Sequence, residues 1–244
     1  MDGPTRDHEP EADGQSRFTR RTSLLSLGGL AGAIVGGPTW ALSEADDARA
    51  GPAAVASGLV SCVLSPEMTE GPYYLDGDKV RRDMREAKPG VPLLVRATVL
   101  DVSTCRPIKG AAVDLWHCDA SGTYSGFAQE GTEGLTFLRG IQRTDKNGVA
   151  VLQTIYPGWY PGRTVHIHVQ VHVGGGVVHT GQLFFPDTLT DAVYRRAPYS
   201  KRPNRETRNA NDSIFVNGGS KSIPKLTKSG TGYVGRVAMG VQRG

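Results

Sequence analysis

Residues 165–173 alternate strictly between β-branched residues and His or Gln. Successive side chains of a β-strand point to opposite faces, so the alternation predicts a strand with one wholly apolar face. The other face carries three histidines and one glutamine: His166, His168, Gln170 and His172. Because the apolar face must be covered by another element, the pattern favours a packed sheet.

Similar segments of period two, each closed by Gly, Asn, Asp or Pro, recur from about residue 91 onward. The predicted strands are 94–102, 111–117, 136–143, 149–155, 165–173 and 177–185, with a last pair within 224–242. The first two are expected to form a hairpin with a long loop, Asn147-Gly148 predicts a tight turn, and three glycines join the fifth and sixth. Residues 186–215 read as a long loop or short helical turns. The expected fold class is all-β, with a single-domain β-sandwich or barrel-like core and long loops.

Composition agrees with a turn-rich globular chain. The 32 glycines in 244 residues are about twice the usual share of roughly 7%. The net charge is only +4, and no basic run is interleaved with aromatic residues, so a nucleic-acid partner is not expected.

The first forty residues have the features of an export signal. Thr19-Arg20-Arg21 precedes an uncharged apolar run at 24–42, which is typical of a Tat signal. Five glycines and Pro38 within that run argue against a membrane-spanning helix. We therefore expect residues 1–41 to be a signal peptide, with cleavage between about 41 and 56, and 57–244 to be a single exported domain without a membrane span.

The positions of the three cysteines are relevant to export and to disulfide formation. Leu59-Val60-Ser61-Cys62 resembles a lipoprotein processing site, but it lies about twenty residues beyond the apolar run, so a lipid anchor is not expected. Export implies an oxidising compartment. Cys62 and Cys105 both sit at loop edges and are the expected disulfide, which leaves Cys118 as a buried thiol.

The polar face of the histidine strand suggests a metal site. His166 and His168 are about 6.6 Å apart along a strand, so their imidazoles can converge on one ion, whereas His172 lies about 13 Å beyond His168. Taken alone, the His-x-His pair fits a surface pair without a role better than a metal pair. The cysteines lack the short spacing of a zinc cluster. Tyr124 and Tyr160 lie on turn-rich loops, and two phenolates with two neutral imidazoles favour Fe(III) over Fe(II) or Zn(II).

Three motifs together carry a family resemblance. They are Thr69-Glu70-Gly71-Pro72-Tyr73-Tyr74, Val113-Asp114-Leu115-Trp116-His117 running into Gly122-Thr123-Tyr124-Ser125, and Tyr160-Pro161-Gly162-Arg163-Thr164-Val165-His166-Ile167-His168. They resemble the intradiol ring-cleavage dioxygenases, most of all the protocatechuate 3,4-dioxygenase type. The resemblance implies Fe(III) held by Tyr124, Tyr160, His166 and His168. It also implies O2-dependent cleavage of a catechol between its two hydroxylated carbons, giving a cis,cis-muconate.

The same resemblance suggests further site residues. It places Arg163 facing the substrate ring and gives Tyr160 a catalytic role as well as a ligand role. Gln182 can be placed independently, because symmetric pairing about Gly175 sets it opposite His168, although a one-residue slip would turn it to the other face. Candidates for the pocket wall are Gly71, Pro72, Tyr73 and Trp159, and the aromatic ones fit core packing as well.

Several alternatives stay open at the level of sequence. Only five residues separate Tyr160 from His166, fewer than expected in the protocatechuate enzymes, and the helical dimerisation region of catechol 1,2-dioxygenases is not expected before Thr69. The identity of the catechol and any homo-oligomer are therefore undetermined. A different class of protein would be an exported β-sandwich that binds carbohydrate or protein, with incidental histidines. A mononuclear copper or Fe(II) oxygenase is a further alternative.

Overall fold

A computed structural model describes residues 62–77, 79–202 and 204–243. The expected signal peptide at 1–41 and its cleavage region lie outside the described residues. The described strands are β1 (Pro92–Asp101), β2 (Arg106–Pro107), β3 (Ala112–Trp116), β4 (Arg139–Arg143), β5 (Val149–Ile155), β6 (His166–Val173), β7 (Gly176–Phe184), β8 (Lys225–Ser229) and β9 (Gly232–Val241). The described α-helices are α1 (Asp187–Tyr194) and α2 (Ser213–Val216). Strands dominate, as the expected all-β class requires.

The strands form two sheets that share one core. In the first sheet the order is β2-β1-β9-β8, with β5 also paired to β1; in the second it is β4-β3-β6-β7. The apolar face of β6, with Ile167, Val169 and Val171, is buried in a cluster that includes Val95 and Ala97 of β1. Burying each aliphatic side chain of this size stabilises the fold by about 1.5–3 kcal/mol. Because these residues turn inward, the histidines of β6 lie on the outer face of the second sheet.

One expected strand pairing is wrong. The segments that became β1 and β3 do not form a hairpin, because β1 pairs with β2, β5 and β9 while β3 pairs with β4 and β6. The connection between them contains Ile108 and Ala111, which are both buried in the core. Burial of these apolar residues carries the chain from one sheet to the other.

The tight turn at Asn147-Gly148 is present, with Gly148 N donating to Asp145 O at 3.0 Å. The strands that it joins belong to different sheets, however, since β4 pairs with β3 and β5 pairs with β1. A turn signal fixes a local reversal of the chain but not the partner of each strand.

The hairpin of β6 and β7 has the expected register. His168 lies opposite Gln182, and His166 lies opposite Phe184. A register shift occurs between Val171 and His172, beyond the candidate site. The expected final strand pair is also present as β8 and β9, and short helices occupy part of the segment after β7.

The cysteines behave as expected. Cys62 and Cys105 form a disulfide, and Cys118 is a buried free thiol. The disulfide ties the segment before β1 to the turn that follows β1. Among the described residues, no helix has the length and apolar character needed to cross a membrane.

A segment preceding β1 covers part of the outer face of the second sheet. Met68 N donates to Thr180 O at 2.9 Å, and Thr180 N donates to a carboxylate oxygen of Glu67 at 3.0 Å. Gln170 of β6 donates to Glu70 at 2.6 Å. These bonds lay the Glu-Gly-Pro-Tyr motif beside the histidines of β6.

Candidate metal centre

Three donor atoms converge beside the start of β6. Tyr160 Oη and His166 Nε2 are 3.1 Å apart, and His166 Nε2 is also 3.1 Å from His168 Nε2. Adjacent ligands of one ion, each bonded at about 2.1 Å and at right angles, stand about 3 Å apart. The spacing of the three atoms therefore fits a shared metal ion.

Local contacts orient both imidazoles. His166 Nδ1 lies 2.6 Å from Thr164 O, an acceptor that places the proton on Nδ1 and leaves the lone pair on Nε2. The ring of His168 is stacked on Trp116, with 5.0 Å between centroids and 6° between planes. Gly71, at φ +77°, brings its backbone so close to His168 that an added Cβ would lie 3.1 Å from Cε1.

Both imidazoles are neutral at physiological pH. Burial, reinforced by the charge of Arg163, lowers the pKa of His166 to about 3. Burial and the neighbouring His166 also hold the pKa of His168 well below its usual value. The neutral imidazole is the form that binds a metal.

Tyr124 supplies a fourth donor in the same place. Its side chain is 1% exposed, and its hydroxyl lacks a hydrogen-bond partner of good geometry among the described residues. Its ring centroid is 5.7 Å from that of Tyr160 and 6.2 Å from that of His168. A buried phenol that faces Tyr160 yet makes no hydrogen bond of good geometry requires an explanation, and a bound cation provides one.

The tyrosines set the kind of ion that fits. Burial raises the pKa of Tyr160 to about 12 and that of Tyr124 well above its usual value. Only a strongly polarising cation displaces such protons near neutral pH. No group of three or more His, Cys, Asp or Glu side chains in the described ranges could hold a metal, so a metal centre here depends on the phenols.

The loop that carries Tyr124 is fixed from several sides. Thr132 Oγ1 donates to Tyr124 O at 2.6 Å, and Ser125 Oγ donates to Phe137 O at 2.7 Å. The buried Arg139 donates from Nε to Ser125 Oγ at 3.0 Å. Sequence reasoning did not assign Arg139 to the site, because nothing in its strand pattern shows that its guanidinium turns inward.

Arg163 and Gln182 meet next to the histidines. Arg163 Nη2 donates to Gln182 Oε1, and Arg163 Nη1 lies 3.4 Å from His166 Nε2. Gln182 Nε2 in turn donates to Thr69 O at 3.0 Å. The amide thus joins the arginine to the segment that covers the sheet.

Asp212 is a residue of the site that the sequence analysis missed. Its Oδ2 accepts from Arg163 Nε and from Thr164 N, both at 2.8 Å. Its Oδ1 accepts from the backbone N–H groups of Ile214 and Phe215 and so caps α2. Burial raises the pKa of this carboxyl, but the backbone donors and the Arg163 guanidinium outweigh burial and hold the pKa below its usual value. An Asp before a short helix signals a cap, yet it does not reveal a distant arginine as a partner.

The four expected pocket residues have different surroundings. Tyr73 is stacked on Tyr124, with centroids 4.1 Å apart and planes at 4°, and Gly71 approaches His168 as described. Pro72, between them, is exposed. Trp159 packs in the main core instead, with its ring 4.3 Å from the Arg202 guanidinium. The structure therefore brings three of the four beside the candidate centre.

The fold and site together define a two-sheet protein with a candidate two-tyrosine, two-histidine centre, and known proteins share this domain. The family model described as Dioxygenase matches residues 63–188. The structure of an intradiol ring-cleavage dioxygenase from Tetranychus urticae is 37% identical with a TM-score of 0.71, and the match covers 74% of this chain and 95% of that chain. The chain belongs to the intradiol ring-cleavage dioxygenase family.

Curated relatives match over shorter stretches. Catechol 1,2-dioxygenase 1 of Acinetobacter lwoffii is 31% identical over 101 residues, which are 39% of this chain and 32% of that protein. A 6-chlorohydroxyquinol 1,2-dioxygenase of Cupriavidus pinatubonensis is 29% identical over 153 residues, covering 55% and 49% respectively. The chain thus spans about a third to a half of the length of these two relatives.

Proposed function

We propose that this protein is a non-haem Fe(III) intradiol dioxygenase. It uses O2 to cleave a catechol-type aromatic between its two hydroxylated carbons and releases a cis,cis-muconate. The observation that carries the proposal is the convergence of Tyr160 Oη, His166 Nε2 and His168 Nε2, with neighbours 3.1 Å apart, beside the buried phenol of Tyr124. Family membership and the names of the relatives support this reaction class.

The donor set favours ferric iron. Tyr124 and Tyr160 would supply hard anionic oxygens, and His166 and His168 would supply neutral nitrogens, a combination that suits a trivalent cation. When bound, Fe(III) would activate a catecholate dianion through metal–oxygen covalency, which raises the electron density at a ring carbon and makes it reactive toward O2.

Tyr160 is suited to accept a proton from the substrate. It is less buried than Tyr124, and burial raises its pKa to about 12. This pKa is that of the phenol without a bound ion, so a Tyr160 oxygen released from the metal would readily take a proton from an approaching catechol. Tyr124 is deeper, and Tyr73 is stacked on its ring, so Tyr124 would keep its position throughout the reaction.

Arg163 would stabilise negative charge that develops on the substrate ring. Its guanidinium lies beside His166 and is held by Asp212 and Gln182 before any substrate arrives. A preorganised charge of this kind costs no rearrangement during the reaction. Gly71, Pro72 and Tyr73 would form the neighbouring pocket wall.

The substrate type and the location are finer parts of the proposal. The relatives named above act on catechol or 6-chlorohydroxyquinol by their names, while the sequence motifs suggest the protocatechuate type, so the catechol must be found by experiment. Export is supported by the twin-arginine leader and by the Cys62–Cys105 disulfide, which suits an oxidising compartment. An exported enzyme would meet plant-derived or lignin-derived aromatics.

The decisive experiment combines colour with turnover. The purified protein, loaded with iron, should be red-brown from phenolate-to-Fe(III) charge transfer. It should consume O2 and form a muconate with at least one of catechol, protocatechuate, hydroxyquinol or a substituted catechol. A folded preparation that binds no iron and stays colourless would refute the proposal and favour a binding module.

A further inference from the structure

The side chain of Arg202 lies between the two loops that carry Tyr124 and Tyr160. Its Nη1 donates to two backbone carbonyls, Ser121 O and Trp159 O, the latter at 3.0 Å. Ser121 stands three residues before Tyr124, and Trp159 directly precedes Tyr160. A single guanidinium nitrogen therefore links the two tyrosine-bearing loops.

Two further contacts fix Arg202 itself. Its guanidinium lies 4.3 Å from the ring centroid of Trp159, and Trp159 Nε1 donates to Arg202 O at 3.1 Å. Arg202 therefore contacts Trp159 at three places: the indole ring, Nε1 and the backbone carbonyl oxygen. This reciprocal arrangement restrains the residue immediately before Tyr160.

The two loops also touch through their backbones. A Cβ at Gly122, whose φ is +86°, would overlap Trp159 O and the Arg202 guanidinium. A Cβ at Gly158 would overlap Asp119 O. Backbone contact therefore limits how closely the two loops can approach. The bonds from Arg202 to both loops prevent them from moving apart.

The chemistry of these contacts distinguishes Arg202 from an ordinary surface cation. Its side chain contacts two carbonyl oxygens and an indole ring. Nearby Arg205 and Arg208 pair instead with the carboxylates of Asp187 and Asp191. A planar guanidinium can donate and stack at the same time, which an ammonium cannot do.

We propose that Arg202 is a positioning residue that sets the separation of the Tyr124 and Tyr160 phenols. It thereby sets the strength and geometry with which the two tyrosines hold the metal. This inference rests on the proposed function. Removal of a residue that orients the ligands of a metal site typically lowers metal affinity by about 10- to 100-fold.

The test compares iron-loaded wild type with Arg202→Met, Arg202→Lys and the control Arg195→Ala. Methionine keeps a stem over Trp159 but removes every donor, lysine restores a donor, and Arg195 is exposed at the end of α1. We measure ferric ion affinity by titration, the visible charge-transfer band, and the melting temperature. Arg202→Met should bind ferric ion at least about tenfold more weakly and shift the band. Arg202→Lys should recover part of both effects, and Arg195→Ala should match wild type.

The outcomes separate this inference from the function on which it rests. A wild type without iron or a visible band refutes the proposed function. A coloured wild type with an Arg202→Met variant of lower melting temperature, but unchanged band and affinity, shows a merely structural role and overturns the inference. If Arg202→Met does not fold, Arg202→Gln replaces it, because the shorter amide loses the guanidinium that donates to both Ser121 O and Trp159 O. An unchanged band and affinity in Arg202→Gln then overturn the inference.

Discussion

Arg163 Nε donates to Asp212 Oδ2 at 2.8 Å across a separation of 49 residues. The Asp212 carboxylate is 1% exposed, and it also caps α2 and accepts from Thr164 N. Through this one side chain, the segment after β7 holds the loop that enters β6. The orientation of the candidate substrate-facing arginine thus depends on a residue far from it in sequence.

We predict that Asp212→Asn lowers kcat/KM by between about 10- and 100-fold, because small misplacements of a positioned group cost rate on this scale. Asparagine retains the ability to cap α2, so the variant should fold and bind iron near normally. Arg163→Ala should lower turnover at least as much, also with near-normal iron content. The matched control is Asp191→Asn, a carboxylate of the same segment that pairs with Arg205 and Arg208. Full turnover in Asp212→Asn would show that the carboxylate does not position Arg163.

Removal of either phenol oxygen gives a direct test of the ligand set. We predict that Tyr124→Phe and Tyr160→Phe each shift or bleach the visible band of the iron-loaded protein, because the band arises from phenolate donation to Fe(III). Tyr156→Phe serves as a buried control, since its hydroxyl bonds Thr190 in the main core. Absorption spectra and iron content of the three variants decide the matter. If both ligand variants keep the wild-type band, the two-tyrosine shell is wrong.

The sequence predicted those parts of the fold that depend on local pattern. The alternation around His166 and His168 defined both faces of β6, and symmetric pairing placed Gln182 opposite His168, as observed. Pairing between strands that are distant in sequence was harder to predict. The expected hairpin of residues 94–102 with 111–117 failed, because burial of the connection sends the second strand into the other sheet.

The residues of the candidate site also fall into two groups, those within one local motif and those brought in by tertiary contacts. Tyr160, Arg163, His166 and His168 lie within nine consecutive positions, so one motif revealed them together. Asp212 and Arg202 reach the site only through tertiary contacts with residues more than 40 positions away. An Asp before a helix or an Arg in a polar segment has many ordinary roles, and only the folded chain shows which partner it meets.

The Arg20-Arg21 pair before an apolar run gives a prediction about export from the cell. We expect residues 1–61, fused to a reporter protein, to direct its export in a bacterium with a Tat pathway, because such signals are read by a receptor. Replacement of Arg20 and Arg21 together by lysine should leave the reporter inside the cell. Arg6→Lys, which conserves charge in the same way outside the pair, should export normally. Equal export by all three fusions would remove the Tat assignment, and fractionation with immunoblotting measures the result.

His117 should make the stability of the metal-free protein depend on pH. Its ring is fully buried, Nδ1 lies 2.8 Å from Cys118 O and Nε2 lies 2.6 Å from Thr154 Oγ1. Because the carbonyl only accepts, Nδ1 carries the proton and Nε2 accepts from the threonine hydroxyl. A second proton would charge a buried ring, and burial accordingly lowers the pKa of His117 from 6.5 to about 4.

The direction of this pH dependence follows from proton uptake by the unfolded chain. Between pH 6.5 and about 4 the unfolded chain binds a proton at His117 that the folded chain does not, so the free energy of unfolding falls as pH falls. This contribution to the free energy of unfolding is about 3 kcal/mol. It is fully present above pH 6.5 and is lost as the pH falls through about 4. His166 and His168 shift in the same direction, so the informative quantity is the difference between wild type and His117→Gln. Urea unfolding at a series of pH values should give curves for the two proteins that converge as pH falls, whereas parallel curves would show that His117 does not carry this dependence.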